Sequence, residues 1–383
     1  MKVYLDNAAT TRLDPRILAK MKPYLTAKYG NASSIHVLGQ EAFLDLQLAK
    51  ERAAKILGGE SESIIFTSSA TEANNLIIKG VALANRNKGN KIIVSNIEHP
   101  CVRESANELV RAGFKVEFIP VNPEGIVTPE ALEKLIDKET ILVSVMAVNN
   151  EIGTLNDIAA LAKVAHKYGA YFHSDTVQAI PYLKIDIKKM GLDLLSLSAH
   201  KFNGPKGVGL AYIGKGIKVQ PLIVGGGQEN NLRSGTYNLP GIMGLVFALE
   251  LAYKERSAYL KRVKSLRDYF WQKIKKEISG LKLNGSLAKR VPANLNVMFG
   301  SIEGEAILMD LSAKGICVST GSACSATNLR ASYVLRAIGL DKNNLNSNIR
   351  FSLGRFNTKK EIDYTVKCLK DTVKRLRSFS PIK

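Results

Sequence analysis

The 383 residues are 45% hydrophobic and 23% charged, as in a typical globular protein, and the formal net charge is +20. At roughly 150 residues per domain, the length predicts two or three structural units that need neither disulfides nor a structural metal. Secretion and membrane spanning are not expected, because the longest apolar stretch (241–253) contains Glu250 and is shorter than the ~20 residues that cross a bilayer.

Short apolar runs alternate with amphipathic segments over the first 215 residues, which is typical of a mostly parallel sheet covered by helices. The predicted strands are 63–68, 91–95, 115–120, 141–148, 170–174, 194–198 and 208–213. Segments 129–137 and 155–169 predict helices, and Gly169 is expected to end the second. Ligands of such sheets lie beyond the carboxyl ends of the strands, so one pocket would collect the polar clusters 67–75, 149–154, 175–178 and 198–206.

After Gly241 the pattern changes to a long helix through about residue 279, followed by shorter α and β segments at 294–299, 304–315, 316–320 and 349–354. We therefore predict an α/β fold in two parts. Residues 13–257 would form a large domain with the parallel sheet, and residues 1–12 and 258–383 a smaller α+β domain.

The chain has four cysteines, none of them in a C-x-x-C pair, which argues against a disulfide framework and against a zinc ribbon. We therefore expect reduced thiols, a cytoplasmic protein and no metal site. Cys317 lies in an apolar run and is predicted to be a small core residue.

The excess positive charge is concentrated in two segments. Residues 251–290 contain twelve Lys and Arg against three Asp and Glu, and residues 359–383 contain eight against three. Such surfaces suit acidic protein partners or RNA. A solvated helical surface is the preferred interpretation, because no aromatic or Gly/Arg-rich binding motif accompanies the charge.

The segment SLSAHKFNGPKGVG (196–209) predicts a reactive lysine where an apolar strand runs into a turn. Desolvation at such a place lowers the pKa of Lys201 below its reference value near ~10.4 and frees the amine to form a Schiff base. Ser198 and His200 can donate hydrogen bonds to a neighbouring phosphate. A surface lysine at a strand end explains the spacing equally well.

In HSDTVQA (173–179), Asp175 suits an acid that keeps the ring nitrogen of pyridoxal phosphate protonated, and Gln178 can donate to the phenolic oxygen of that ring. Read alone, this segment is better explained by an Asp that caps a helix and an unrelated Gln. In FTSSATEANN (66–75), Thr71 and backbone N–H groups at a helix N-terminus form an anion site, and a capping box is also compatible with this pattern.

Four further residues are chemical candidates. His99 can stack on a planar cofactor and relay protons, although a lone histidine is often a satisfied core residue. Cys324, in a Ser/Ala/Gly-rich run, is a candidate nucleophile or an incidental free thiol. Arg350 can grip a carboxylate with Asn150 as a second donor, or form a surface salt bridge.

Ten segments, in this order and over essentially the whole chain, resemble the cysteine desulfurase family of class-V, fold-type I pyridoxal-phosphate enzymes. They are YLDNAATT (4–11), GNASSIH (30–36), FTSSATEANN, EHPCV (98–102), NNEIGT (149–154), HSDTVQA, SLSAHKFNGPKGVG, GGGQENNLRSGT (225–236), STGSACS (319–325) and SNIRFSLGR (347–355). The GSAC motif and the long loop after it are similar to the branch that serves iron–sulfur cluster assembly and nitrogenase maturation.

The resemblance implies a role for each matching residue. Lys201 would bind the cofactor covalently and move protons, His99 would stack on its ring, Asp175 would pair with the ring nitrogen and Gln178 with the phenolic oxygen. Cys324 would attack the sulfur of L-cysteine and become a persulfide. The implied phosphate ligands are the backbone of Ala70, Thr71, Ser198, His200 and, from the neighbouring subunit of a homodimer, Thr236; Asn150 and Arg350 would position cofactor and substrate.

The resemblance also implies that a sulfur-acceptor protein takes the persulfide, either an iron–sulfur scaffold or a tRNA-thiolation protein. Two residues depart from the family pattern. Ala32 replaces a proline and is expected to loosen its loop, and Ser69 replaces a glycine and is expected to strain the phosphate turn.

Two rival functions follow from the residues. A class-V aminotransferase or lyase acting on another amino acid would not need Cys324. A non-catalytic RNA- or protein-binding relative would be colourless when purified, whereas cofactor bound to Lys201 would make the protein yellow.

Overall fold

The computed structural model describes residues 1–320 and 331–379. The strands in these ranges are β1 (Val3–Tyr4), β2 (Ile64–Thr67), β3 (Lys91–Ser95), β4 (Lys115–Ile119), β5 (Thr140–Ser144), β6 (Tyr171–Asp175), β7 (Leu194–Ser198), β8 (Gly209–Ile213), β9 (Leu281–Leu283), β10 (Asn294–Phe299), β11 (Ile316–Cys317) and β12 (Asn348–Ser352). The α-helices are α1 (Pro15–Thr26), α2 (Val37–Leu57), α3 (Ala70–Ala84), α4 (Pro100–Arg111), α5 (Pro129–Glu133), α6 (Ile158–Lys167), α7 (Ile187–Met190), α8 (Leu239–Glu277), α9 (Gly304–Ala313), α10 (Tyr333–Ala337) and α11 (Lys359–Phe379).

Seven strands form one sheet in the order β2-β8-β7-β6-β5-β3-β4. Strand β8 runs antiparallel to β2 and β7, and the pairs β7–β6, β6–β5, β5–β3 and β3–β4 are parallel. The carboxyl ends of β2, β7, β6, β5 and β3 therefore open on one edge of the sheet. The predicted mostly parallel α/β sheet is confirmed, and its apolar strands are buried because helices cover both faces.

Successive side chains of each strand point to opposite faces of the large sheet, and each face has its own hydrophobic cluster. Ile93 packs into a cluster with α1, α2, α6 and the first half of α8, whereas Ile92 and Val94 pack into a cluster with α3 and α4. This is the two-residue period of a strand with both faces buried.

A separate cluster surrounds the three-stranded antiparallel sheet β12-β10-β9, with α9, α11 and the second half of α8. Val3 and Leu5 belong to it, because β1 pairs with β11. Helix α8, 39 residues long, contributes to both clusters. The predicted boundary between residues 257 and 258 lies inside this helix, and the division into two domains stays a prediction.

Three local expectations need correction. The strand predicted at 141–148 ends at Ser144; residues 145–148 are apolar because they are buried, although they lie outside the strand. Cys317 is exposed, since in the two-residue strand β11 Ile316 points inward and its neighbour outward. Ser69 has φ −169°, which is extended backbone that any residue adopts, so the expected strain is absent at this position.

Gly169 follows the last residues of α6 with φ +78°, as expected of a residue that ends a helix.

In the described ranges, every helix is too short or too polar to cross a lipid bilayer.

Candidate active site

A cavity of about 230 Å³ opens at the carboxyl edge of the seven-stranded sheet. Nine of the residues predicted to form the site line it: Ala70, Thr71, His99, Asn150, Asp175, Gln178, Ser198, His200 and Lys201. The remaining lining residues are Ser69, which the sequence marked only as a departure from the family pattern, and Ala9, Cys101, Met146 and Val177, which it did not single out. Thr236 and Arg350 are not among the lining residues, and Cys324 lies outside the residues that the structure describes.

Lys201 stands in a short helical turn that follows β7 directly. Its Nζ donates to the carbonyl oxygens of Ala8 at 2.7 Å and Ala9 at 2.9 Å. The same N-terminal segment also donates hydrogen bonds to this turn, because the N–H and the Oγ1 of Thr11 both donate to the carbonyl of His200. The lysine amine is therefore held against a neutral segment of backbone at the edge of the cavity.

Asp175 ends β6 and is only 4% exposed. Its Oδ2 accepts from Nδ2 of Asn74 at 2.8 Å, and its Oδ1 accepts from the N–H of Val177 at 2.9 Å. The Oδ1 of Asn74 in turn accepts from the hydroxyl of Ser196 at 2.6 Å, which fixes the orientation of the amide. Turns follow Asp175, so the alternative of a helix-capping Asp does not apply.

Gln178 lies three residues further along the chain and lines the same cavity. Its Nε2 donates to the carbonyl of Ala8 at 2.8 Å, the acceptor that Lys201 also uses. The N-terminal segment thus joins the two side chains that were predicted to reach the aldehyde and phenolic sides of one ring.

His99 caps the N-terminus of α4, where its Nδ1 accepts from the N–H of Cys101 at 3.3 Å and lies 3.0 Å from Sγ of that residue. Burial lowers the pKa of His99, the Asp175 charge opposes this effect, and the Lys201 charge reinforces it. The imidazole is therefore neutral near pH 7. Burial also raises the pKa of Cys101 to about 12, which keeps this thiol protonated and a poor nucleophile.

The predicted anion site forms around the start of α3. Ser69 caps this helix by accepting from the N–H of Glu72 at 3.2 Å, and Glu72 Oε2 accepts from the N–H of Ser68 at 2.8 Å. The capping box is thus present together with the anion site, as the sequence allowed. The N–H groups of Ala70 and Thr71 lie in the first turn, where a helix has no carbonyl of its own to satisfy them.

His200 and Ser198 complete the polar wall on the β7 side of the cavity. Nδ1 of His200 lies 3.1 Å from the hydroxyl of Thr10. Burial, with a smaller effect of the Lys201 charge, lowers the pKa of His200 to about 4, so this ring is neutral and acts as a hydrogen-bond donor or acceptor.

Arg350 on β12 is 2% exposed and forms an ion pair with Asp6, Nη2 to Oδ1 at 2.7 Å. Its Nη1 donates to the carbonyl of Asn150 at 3.0 Å. The guanidinium of Arg350 therefore contacts the cavity lining through the carbonyl of Asn150. Because the group is buried, the alternative of a surface salt bridge does not apply.

Glu98 is a buried carboxyl group directly before His99, and sequence reasoning did not identify it. Its Oε1 accepts from the Ser95 hydroxyl at 2.5 Å and from the Met146 N–H at 2.6 Å, and its Oε2 has no hydrogen-bond partner among the described residues. Burial raises the pKa of Glu98 to about 8, which leaves it largely protonated near pH 7. The described part of the chain contains no cluster of three His, Cys, Asp or Glu side chains able to hold a metal ion.

Comparisons with known proteins agree with this geometry. The family model for class-V aminotransferases matches residues 3–365. The cysteine desulfurase IscS of Dictyoglomus turgidum is 47% identical over 100% of this chain and 97% of its own length, and that of Methanosarcina thermophila is 44% identical over 99% and 94%. A solved structure described as a NifS-like protein superposes with a TM-score of 0.93 at 41% identity, covering 98% of this chain and 100% of the other.

The chain therefore belongs to the class-V aminotransferase family and, within that family, to the cysteine desulfurases. The resemblance inferred from the ten sequence segments is confirmed, and so is the fold class that it implied.

Proposed function

We propose that this protein is a pyridoxal-phosphate-dependent cysteine desulfurase that converts L-cysteine to L-alanine and transfers the sulfur to its own Cys324. The observation that carries the proposal is the meeting of Lys201, His99 and Asp175 in one cavity of a chain that matches cysteine desulfurases over its full length. Three separate strand ends supply these residues, so their convergence reflects the whole fold and not one motif.

The donor set of the cavity fits pyridoxal phosphate group by group. An amine (Lys201) suits the aldehyde, a buried carboxylate (Asp175) the ring nitrogen, and an amide donor (Gln178) the phenolic oxygen. For the phosphate there are helix N–H groups and polar side chains, from Ala70, Thr71, Ser198 and His200. When bound, the cofactor supplies an electrophilic aldehyde and a ring that accepts electrons.

The residues around the ring have separate tasks in this proposal. Asp175, oriented by Asn74, keeps the proton on the ring nitrogen. Lys201 would hold the cofactor covalently and would move the proton at the substrate α-carbon. His99, neutral and buried, would stack on the ring and exchange protons.

Substrate positioning falls to Asn150 and Arg350. The ion pair with Asp6 and the hydrogen bond to the Asn150 carbonyl hold the guanidinium of Arg350 in one orientation. In the proposal, the guanidinium held in this orientation binds the α-carboxylate of L-cysteine.

Sulfur transfer is assigned to Cys324 on the strength of the GSAC motif. Its thiolate attacks the substrate sulfur, a sulfur–sulfur bond forms, the carbon–sulfur bond breaks and its electron pair goes to the β-carbon, which is then protonated. The overall change is L-cysteine plus the enzyme thiol giving L-alanine plus the enzyme persulfide, with no external oxidant.

We include a homodimer in the proposal, with Thr236 of each subunit reaching the phosphate site of the other. Thr236 is exposed on the loop before α8. Large apolar side chains are also exposed on α2 and on two loops: Ile35, Val37, Phe43, Leu44, Leu48 and Val224, the first of them 91% accessible. Large apolar side chains exposed in this way support a surface that another subunit covers.

The persulfide would pass to an acceptor protein in the cytoplasm, where thiols stay reduced. We propose an iron–sulfur scaffold as the main acceptor and a tRNA-thiolation protein as a second one. The curated relatives that carry the name IscS support the first acceptor.

The deciding experiment is incubation with L-cysteine and a reductant, following alanine and sulfide together. Wild-type protein is expected to form both, and the purified protein is expected to be yellow. The Cys324→Ala variant should bind cofactor and cysteine but form no alanine, and Cys317→Ala, which removes an exposed thiol outside the cavity, provides the matched control. Full alanine production by Cys324→Ala would refute the nucleophile, and dependence on a keto acid would indicate an aminotransferase.

A further inference from the structure

A second cavity, here called the basic cavity, lies beside the second half of α8 and has a volume of about 770 Å³. It shares no lining residue with the candidate active site. One wall comes from α8, one from the segment 287–292 that leads into β10, and one from residues next to the large sheet, among them Leu155 and Leu183. Its four cationic lining residues belong to the segment 251–290, whose positive charge the proposed desulfurase reaction does not use.

The charges around the basic cavity are unbalanced. Four cationic side chains line it, Lys261, Lys264, Arg267 and Arg290, against one carboxylate, Asp268. That carboxylate already accepts from Lys264 and from Nε of Arg267, each at 2.7 Å. Among the described lining residues, three positive charges are therefore left without a compensating negative one.

Two of these cations are buried, so that leaving their positive charge uncompensated is unfavourable in free energy. Arg267 and Arg290 are each 4% exposed. Nη1 of Arg267 is buried and has no hydrogen-bond partner among the described residues. Arg290 donates from Nε to the Ser286 carbonyl at 3.0 Å and from Nη1 to Asn294 Oδ1 at 3.4 Å, and from Nη2 to the Asn284 carbonyl. All of these acceptors are neutral.

The two guanidinium groups also repel each other. Burial, followed by the charge of Arg267, lowers the pKa of Arg290 to about 9. Buried charges in proteins are normally paired, and an arginine with a free N–H next to a like charge is the usual surrounding of a bound oxyanion.

We infer that the basic cavity binds a small molecule that carries an oxyanion, phosphate or carboxylate, on an apolar body. The oxyanion lies between Arg267 and Arg290 and accepts from the unpartnered Nη1. The apolar body packs on Leu260, Leu287, Val291 and Pro292. The volume is within the range of pockets for small molecules, ~300–1,000 Å³, and the position between two hydrophobic clusters is one where such pockets are common.

The test is isothermal titration calorimetry on the purified holoenzyme after free pyridoxal phosphate has been removed by gel filtration, so that the phosphate turn of the active site is filled and the basic cavity is not. The probes are inorganic phosphate, phenyl phosphate and benzoate. We expect phenyl phosphate to bind more tightly than inorganic phosphate, because it adds the apolar contact. Comparison with benzoate shows whether phosphate or carboxylate is the preferred oxyanion.

Variants then place the binding in the basic cavity. Arg267→Lys keeps the charge but removes the planar donors, and we expect affinity for phenyl phosphate to fall about tenfold, a loss of one charge-assisted hydrogen bond. Lys261→Gln removes an exposed rim charge and should weaken binding severalfold without affecting the fold, so the inference stays testable if Arg267→Lys is unstable. Lys374→Gln, which removes an exposed charge on α11, is the matched control and should bind as wild type does.

Absence of binding by wild-type protein at millimolar probe would overturn the inference. Equal affinity of wild type, Arg267→Lys and Lys261→Gln would overturn it as well, since the probe would then bind elsewhere.

Discussion

The candidate active site and the basic cavity both bury charged side chains, but they differ in how those charges are compensated. In the active site, Lys201 has two carbonyl acceptors and Asp175 has an amide and a backbone donor. In the basic cavity, Arg267 keeps an unpartnered N–H beside another cation. In the active site, hydrogen bonds from the protein itself hold the reacting groups in one orientation. In the basic cavity, the protein leaves positive charge that a ligand would compensate.

The most severe test of the active site is Lys201→Ala. Removal of the amine abolishes both the covalent attachment of cofactor and the proton transfer, so alanine formation should fall at least ~10³-fold. Lys206→Ala, an exposed lysine in the same turn, is the control and should retain activity and colour. Substantial turnover by Lys201→Ala would show that the amine is not the reacting group.

A smaller loss is expected for Asn74→Ala, which removes the hydrogen bond to Oδ2 of Asp175. A buried hydrogen bond to a charged group contributes about 1.5–3 kcal/mol, so kcat/KM should fall about 10–100-fold while Asp175 itself remains. The measurement is the kinetics of alanine formation, with the exposed Asn107→Ala as control. Unchanged kinetics would mean that Asp175 needs no orienting partner, which would weaken the contrast with the basic cavity.

Glu98 gives a test that depends on pH. Its pKa is about 8 in the folded protein, against 4.5 for the free side chain, so the folded state holds the proton more tightly. The contribution of Glu98 to the free energy of unfolding is greatest below pH 4.5 and falls as the pH rises toward 8. Above that pH it does not change further. Each pKa unit corresponds to about 1.4 kcal/mol.

Thermal unfolding at pH 6 and at pH 8 should therefore show a larger fall in Tm for wild type than for Glu98→Gln, whose amide does not titrate. An equal fall in the two proteins would indicate that Glu98 is ionised in the folded state across this range.

The smallest effect is expected for Ser69→Gly, which restores the residue usual in the family. Because Ser69 has extended backbone and caps α3, glycine should lower the free energy of unfolding by only a few tenths of a kcal/mol and leave activity unchanged. Ser69→Ala removes the cap and should cost about 1 kcal/mol in chemical denaturation. A gain in activity on Ser69→Gly would revive the expectation of strain.

The strands of the large sheet and the polar residues at their carboxyl ends were predictable, because buried parallel strands are short apolar runs with one exit edge. This is why Lys201, Asp175 and His99 could be placed in one pocket. The N-terminal carbonyls that hold Lys201 were not predictable, since backbone groups leave no trace in residue types. Asn74 was within a recognised segment, but only its burial shows that it orients Asp175.

Other expectations failed for local reasons. An apolar run does not show which of its residues points inward, so Cys317 was assigned to the core although it is exposed. A glycine in relatives does not reveal its φ angle, so strain was expected at Ser69 where the backbone is extended. The charge count of residues 251–290 favoured a solvated helical surface, because it did not show that Arg267 and Arg290 are buried beside a cavity.

The continuity of α8 has a consequence for how the molecule can deform. A helix of 39 residues is about 58 Å long, and it enters one hydrophobic cluster at its start and another at its end. Any rotation of one cluster against the other must bend α8 or shift its side chains against their neighbours, because α8 connects the two clusters without a loop that could act as a hinge. A protease that cuts at flexible junctions should therefore leave the peptide bond between residues 257 and 258 intact in the native protein.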